Sequence, residues 1–166
     1  DKFPLRMGAQ REELRSRLNL ANNEYNHLIS LLAKRDIIDE DSSVVSLCGY
    51  HPSLKPAQEK VVKLYLSKLE ESPYSPPTNL ELDEEMVGFI IEQGLVVRVG
   101  DGIVFTTSAY NHMLDVIRKR INDEGEITVG DVRDMFSTSR KYALALMDYL
   151  DHQQITRRVG DSRILR

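Results

Sequence analysis

The chain has 166 residues, 41% of them hydrophobic, no Trp and a formal net charge of −4. That length holds one ordinary domain or two to three small ones. The single Cys48 excludes an internal disulfide and fits a reducing compartment, and no apolar run approaches the ~18 residues that a membrane span needs. The opening Asp1-Lys2-Phe3-Pro4-Leu5-Arg6 lacks the apolar core of a signal peptide, so a cytoplasmic protein is expected. It does not start with Met and reads as a piece of a longer one.

Residues 3–47 read as an incomplete module. Phe3-Pro4-Leu5 is a short extended piece, Gly8 a break, and Ala9–Leu18 a charged helix. A second helix opens at Asn22 or Asn23, with Tyr25, Leu28, Ile29 and Leu32 at the spacing of a buried face. Ile37-Ile38 and Val44–Leu47 then pair across a polar tip. Helix, helix, hairpin is a winged helix without its first helix, and it is assigned to residues 1–50.

Gly49–Pro56 is a linker, and Pro56 suits the first position of the next helix. That helix runs to about Glu71 with Val61, Leu64, Tyr65 and Leu69 expected inward. Three prolines in Ser72–Thr78 break it. Asp83–Gln93 forms the next, burying Met86, Val87, Ile90 and Ile91, and Gly94 ends it. Leu95–Val99, the turn Gly100-Asp101-Gly102 and Ile103–Thr106 close a second winged helix, at 55–107.

The third module, at 108–166, opens with a helix over Ala109–Asn122, with Met113, Leu114, Ile117 and Ile121 inward. A short extended piece follows at 126–128, then a short helix Val129–Phe136 contributing Val132, Met135 and Phe136 to a self-contained core. Ser137, Thr138 and Ser139 supply N-cap hydroxyls for a helix whose face is Ala143, Leu146, Met147 and Leu150. Ile155–Val159, the turn Gly160-Asp161 and Arg163–Arg166 make a basic hairpin.

An internal repeat ties these units together. Gln93, Leu95, Arg98, Val99, Gly100 and Asp101 return sixty residues later as Gln153, Ile155, Arg158, Val159, Gly160 and Asp161. The middle copy lacks a counterpart of the helix at 129–136. The fold class is therefore α+β, mostly helical, with tandem winged-helix modules carrying small β-hairpin wings.

Charge separates the copies. Residues 137–166 carry six Arg or Lys against three Asp, whereas residues 1–108 carry twelve against seventeen acidic residues. A positive terminus on an acidic chain asks for a polyanionic partner. The second module's helix opens Asp83-Glu84-Glu85, which would repel phosphate. Arg157 and Arg158 alternate across a strand, so one of them faces the body or its rim. They read either as a solvated, charge-guarded edge or, with Arg140, Lys141 and Arg163, as phosphate contacts. On the closing helix Lys141, Ala145 and Asp148 lie opposite the apolar face. The small Ala145 would let a nucleic-acid backbone come close, and Tyr142 would stack on an unpaired base or merely rim the core.

Catalytic signals are weak. His27, His51, His112 and His152 are scattered, Cys48 and His51 form one C-x-x-H without companions, and neither GxxxxGK[ST] nor GxSxG occurs. No enzyme, cofactor or metal is expected.

Thr138-Ser139-Arg140-Lys141-Tyr142-Ala143, Leu150-Asp151 and Thr156-Arg157-Arg158-Val159-Gly160-Asp161 together resemble the C-terminal winged helix of bacterial selenocysteine-specific translation elongation factors. Phe3-Pro4-Leu5-Arg6 followed by Glu12-Glu13-Leu14-Arg15 is similar to an earlier winged helix of that family. The resemblance implies a GTPase body followed by four winged helices, of which this chain would hold most of the second, the third and the fourth. It implies that the last binds the selenocysteine insertion element, an mRNA hairpin after a UGA codon, and brings the charged tRNA to the ribosome. Carried over residue by residue, Thr138, Ser139, Arg140, Lys141, Tyr142, Arg157, Arg158 and Arg163 would contact RNA, while Gly160 and Asp161 would shape the wing. A monomer without membrane contact is expected. The other readings are a DNA-binding regulator, since winged helices commonly serve duplex DNA, and a protein-interaction array.

Overall fold

Short amphipathic helices alternating with two- to five-residue strands build three small antiparallel sheets. A computed structural model describes residues 5–41, 43–100 and 102–166. In the first unit β1 (Ala9–Gln10) leads into α1 (Arg11–Leu18) and α2 (Asn22–Ala33), then β2 (Ile38–Glu40) and β3 (Val44–Leu47). The sheet order is β1-β3-β2. Tyr25, Ile29, Ile38 and Val45 form its core. Gly8 sits so close to β3 that a Cβ there would lie 2.5 Å from the Val45 carbonyl oxygen. Residues 1–4, including Phe3 and Pro4, lie outside the described residues.

The middle unit holds α3 (Pro56–Glu71), α4 (Glu84–Glu92), β4 (Val96–Gly100) and β5 (Ile103–Thr106), with a two-stranded sheet. Pro56 does open α3, and Asp83 caps α4 by accepting from the Glu85 N–H. The buried stripe of α3 is Val62, Tyr65 and Leu69; Val61 and Leu64, expected inward, are 46% and 62% exposed. Where the other units have a first strand, this one runs 79–82 without regular structure, and Leu80 and Leu82 pack on its core. Leu5 is buried in the same core, its N–H donating to Glu85 Oε1 at 2.8 Å.

The last unit runs α5 (Thr107–Glu124), β6 (Ile127–Thr128), α6 (Val129–Met135), α7 (Arg140–His152), β7 (Thr156–Val159) and β8 (Ser162–Leu165). Its sheet order, β6-β8-β7, repeats that of the first unit. Helix, strand, helix, helix and hairpin in this order is the winged helix, and the chain is α+β with winged helices in tandem. All four inward residues expected of α5 and of α7 are buried. Met135 is exposed, and Ser139, at the N-cap of α7, makes no side-chain cap bond.

The three helix-to-wing turns share one geometry. Asp36, Gly94 and Gln154 take φ of 54°, 68° and 58°. Each is followed by an amide bonding back to the helix: Ile37 to the Leu32 carbonyl, Leu95 to Ile90, Ile155 to Leu150. That is the 6→1 bond of a left-handed helix exit. It puts the units in residue-by-residue register, with 36, 94 and 154 equivalent.

The middle hairpin is buried on both sides. Val96 and Val104 belong to the middle core, while Val99, Ile103 and Phe105 join α5, α6 and α7 in one cluster. The core at the C-terminal end is therefore shared with the middle wing and is not self-contained within 108–166.

Candidate nucleic-acid interface

The helix α7 and the wing β7–β8 hold the expected site. Amphipathic spacing presses Ala143, Leu146, Met147 and Leu150 into the core, which turns Arg140, Lys141, Leu144 and Asp148 outward. The wing folds back over a two-residue turn in which Val159 pairs with Ser162. Gly160 there has φ of 62°, the left-handed value that a hairpin turn with glycine first requires.

Arg140 and Arg157 are exposed and make no hydrogen bond or ion pair among the described residues. Arg158 is also exposed; its Nε donates to the Gly160 carbonyl at 2.9 Å, with Asp161 3.9 Å away. Ser139 and Asp161 face solvent. Lys141 is exposed too, with Nζ 3.4 Å from Thr78 Oγ1 and 5.7 Å from the centre of the Tyr142 ring.

Three expected contacts take other roles. Thr138 does not cap α7: its Oγ1 donates to the Tyr74 carbonyl at 2.5 Å and lies 2.8 Å from Ser75 Oγ. Tyr142 donates its hydroxyl to the Pro76 carbonyl at 2.8 Å and packs edge-on to Phe105, 6.5 Å between ring centres. Its ring is a joint between units, not a free platform for a base. Arg163 is 2% exposed, with Nη2 on Asp148 at 2.9 Å and Nε on Asp151 at 3.2 Å. A guanidinium so placed faces carboxylates, not phosphate. Ala145 is likewise occupied: a Cβ on Gly100 would sit 3.6 Å from Ala145 Cβ, so the backbone that comes close here is the middle wing's.

Residues 73–78 and Gly100 thus cover one side of the first half of α7, leaving Ser139, Arg140 and Lys141 exposed. Sequence spacing does not show this, because the partners lie far from α7 along the chain. One signal was present. Ile103-Val104-Phe105 is a continuous apolar run, whereas Ser162-Arg163-Ile164-Leu165 mixes polar and apolar. A strand buried on both faces reads as the former.

Two family models described as "Elongation factor SelB, winged helix" match the chain, one at residues 1–47 and one at 119–165. The chain belongs to the SelB winged-helix family. The models are those of the second and third SelB winged helices, in that order; the resemblance had put the closing unit fourth. A selenocysteine-specific elongation factor of Desulfomicrobium baculatum is 25% identical over 175 residues, taking in 98% of this chain and 28% of its own length. This SelB-family chain thus spans just over a quarter of that relative. Two solved structures share its fold. One is the mRNA-binding domain of elongation factor SelB from E. coli in complex with SECIS RNA: 18% identity, TM-score 0.52, covering 68% of this chain and 99% of that one. The other is the bacterial selenocysteine-specific elongation factor EF-Sec: 19% identity, TM-score 0.55, 96% and 26%.

Among the described residues no cluster of His, Cys, Asp or Glu has the make-up of a metal site, and no helix is long and apolar enough to cross a membrane. Asp39 beside Cys48 pushes that thiol above its ordinary pKa, which disfavours the reactive thiolate.

Proposed function

We propose that this chain is the message-reading end of a selenocysteine-specific elongation factor. Its closing winged helix, residues 108–166, binds an mRNA hairpin after a UGA codon and so tethers the parent factor to the ribosome. The reading makes it a cytoplasmic monomer whose GTPase chemistry lies elsewhere in the parent. The observation that carries it is the surface of the closing unit, where Arg140 and Arg157 are unpartnered and Arg158 projects from the wing. Residues 1–50 and 55–107 act as two further winged-helix units that support this end, the second without a middle helix.

Arg140, Lys141, Arg157 and Arg158 are the phosphate contacts, helped by the exposed α7 N-terminus at Ser139, whose free N–H groups suit an anion. Gly160 and Asp161 set the tip of the wing. A-form RNA hides its base edges in a deep, narrow major groove, so sequence is read from unpaired loop bases.

The test is a titration of the chain against three labelled probes. They are an RNA stem-loop copied from a message just after an in-frame UGA, the same stem with a scrambled loop, and duplex DNA of equal length. Preference for the first supports the reading. Preference for the duplex assigns the chain to DNA, and salt-insensitive indifference to all three assigns it to protein contacts.

A further inference from the structure

The equivalence of the three helix-to-wing turns lets the wing positions be compared directly. The last residue of the helix core rim and the two inward wing residues are Ala33, Ile38 and Val45 in the first unit. In the second they are Ile91, Val96 and Val104. In the last they are Asp151, Thr156 and Arg163. The inward pair is buried in every unit, yet only the last makes it polar, with Thr156 and Arg163 1% and 2% exposed. Asp151 satisfies both, accepting from Thr156 Oγ1 at 2.6 Å and from Arg163 Nε at 3.2 Å, while Asp148 accepts from Arg163 Nη2 at 2.9 Å.

Stability does not explain this network. Two sibling wings show that an apolar trio fits the same fold, and exchanging a buried ion pair for apolar residues is often neutral or stabilising. What distinguishes the last unit is the state of the neighbouring outer charge. Arg158 stands opposite Arg163 across the strand pair, where Glu40 stands opposite Val45 and Arg98 opposite Val104. Glu40 is held by Arg11 at 2.5 Å and Arg98 by Glu84 at 2.9 Å, each tied to its own body. The counterpart of Glu84 is Leu144, sixty residues on, so Arg158 has lost that carboxylate. The exposed Asp161 of its own turn lies 3.9 Å from Arg158, and the two carboxylates of α7, Asp148 and Asp151, are both occupied by Arg163.

Resting on the RNA-binding reading above, we propose that Arg163, Asp148, Asp151 and Thr156 are positioning residues for that surface. Arg163 acts as an internal counter-cation. It pins the wing to α7 and engages the carboxylates that would otherwise capture Arg158, so that Arg158, held only within its own exposed turn by the Gly160 carbonyl and Asp161, stays available to a polyanion beside Arg157.

The experiment transplants the middle unit's trio into the last: Asp151→Ile, Thr156→Val and Arg163→Val in the chain of residues 1–166. One acid and one base are removed together, so net charge is unchanged and long-range attraction is held constant. Thermal melts establish that the variant folds, and the UGA-proximal RNA stem-loop is titrated at several salt concentrations. A loss of about tenfold or more in affinity is the expected result, with the slope of log affinity on log salt shallower by about one because the released Asp148 captures Arg158 and one phosphate contact is lost. Undiminished affinity in the folded variant overturns the proposal. So does an equal loss when the three substitutions are placed on Arg158→Ala, where no Arg158 contact is left to lose, which would mean that Arg163 itself meets phosphate. If the variant does not fold, Arg163→Lys substitutes for it. A point ammonium keeps the charge but cannot fork to both carboxylates, which leaves one of them to Arg158, so a loss of affinity with a slope shallower by about one is expected, with full affinity overturning the proposal. A parent chain that fails to bind the stem-loop at all sinks the RNA-binding reading and this inference with it; parent binding with an unaffected variant sinks the inference alone.

Discussion

At the scale of single residues, partnership separates cations that grip from cations that hold the fold. Arg157 has no partner among the described residues and Arg163 has two. Arg157→Ala is therefore expected to weaken RNA binding and to shallow the salt dependence by about one unit, for one lost phosphate, with the melting temperature unmoved. A fall in melting temperature at unchanged slope would show that it braces the wing instead. Tyr142 gives the opposite expectation. Tyr142→Phe keeps the ring but deletes its bond to the Pro76 carbonyl, which costs about 1 kcal/mol of stability. Discrimination between cognate and scrambled loops should persist, because the ring packs on Phe105. Loss of discrimination without loss of stability would restore it as a base-stacking group.

At the scale of elements, the helix-to-wing turn is the repeated device, and only the middle copy has the residue suited to it. Gln154 holds φ of 58° where Gly94 holds 68°, and a side chain in that left-handed region costs roughly 1 kcal/mol. Gln154→Gly is expected to raise stability by at most about 0.5 kcal/mol after glycine's larger unfolded-state entropy is subtracted, measured by urea denaturation. The start of α6 is a second such device: Thr128 Oγ1 accepts from the Asp131 N–H, and the Asp131 carboxylate accepts from the Thr128 hydroxyl and N–H. Those bonds, the hydroxyl's first, hold the Asp131 carboxyl below its ordinary pKa. A depressed carboxylate stabilises the fold above the unfolded-state value and loses that contribution as pH falls through the folded one. Melting temperature should accordingly drop below about pH 4, and less steeply in Asp131→Asn. Such elements were legible in the sequence where one apolar stripe had no rival, as in α5 and α7. In α3 the neighbours Val61-Val62 and Leu64-Tyr65-Leu66 define two overlapping stripes, and spacing alone does not choose between them. Packing chose Val62, Tyr65 and Leu69. The cations of the candidate site were legible as a charge cluster. Which of them were free was not, because Arg163, Thr138 and Tyr142 are engaged by groups brought up by tertiary folding.

At the scale of the molecule, the middle wing makes the last two units one folding body. Phe105 is 1% exposed and lies in a cluster with Met113, Ile117, Phe136 and Leu146, while the opposite face of its strand carries Val104 into the middle core. The Thr138–Tyr74 and Tyr142–Pro76 bonds fasten the same joint from the other side. Cutting the chain at residue 108 would therefore strip Val99, Ile103 and Phe105 from the core beneath α7 and leave its first half uncovered. The isolated piece 108–166 is expected to unfold at lower denaturant than the same unit within 1–166. Phe105→Ala in the full chain offers a cleaner measurement, because it removes one shared ring without creating new termini. A buried Phe truncated to Ala costs about 3–5 kcal/mol, and here the loss should be felt on both sides of the wing. Amide exchange should speed up in α7 and in α4 together. Acceleration confined to α4 and the middle hairpin, with α7 as protected as before, would show that the closing unit stands by itself and that the shared core is only a contact surface.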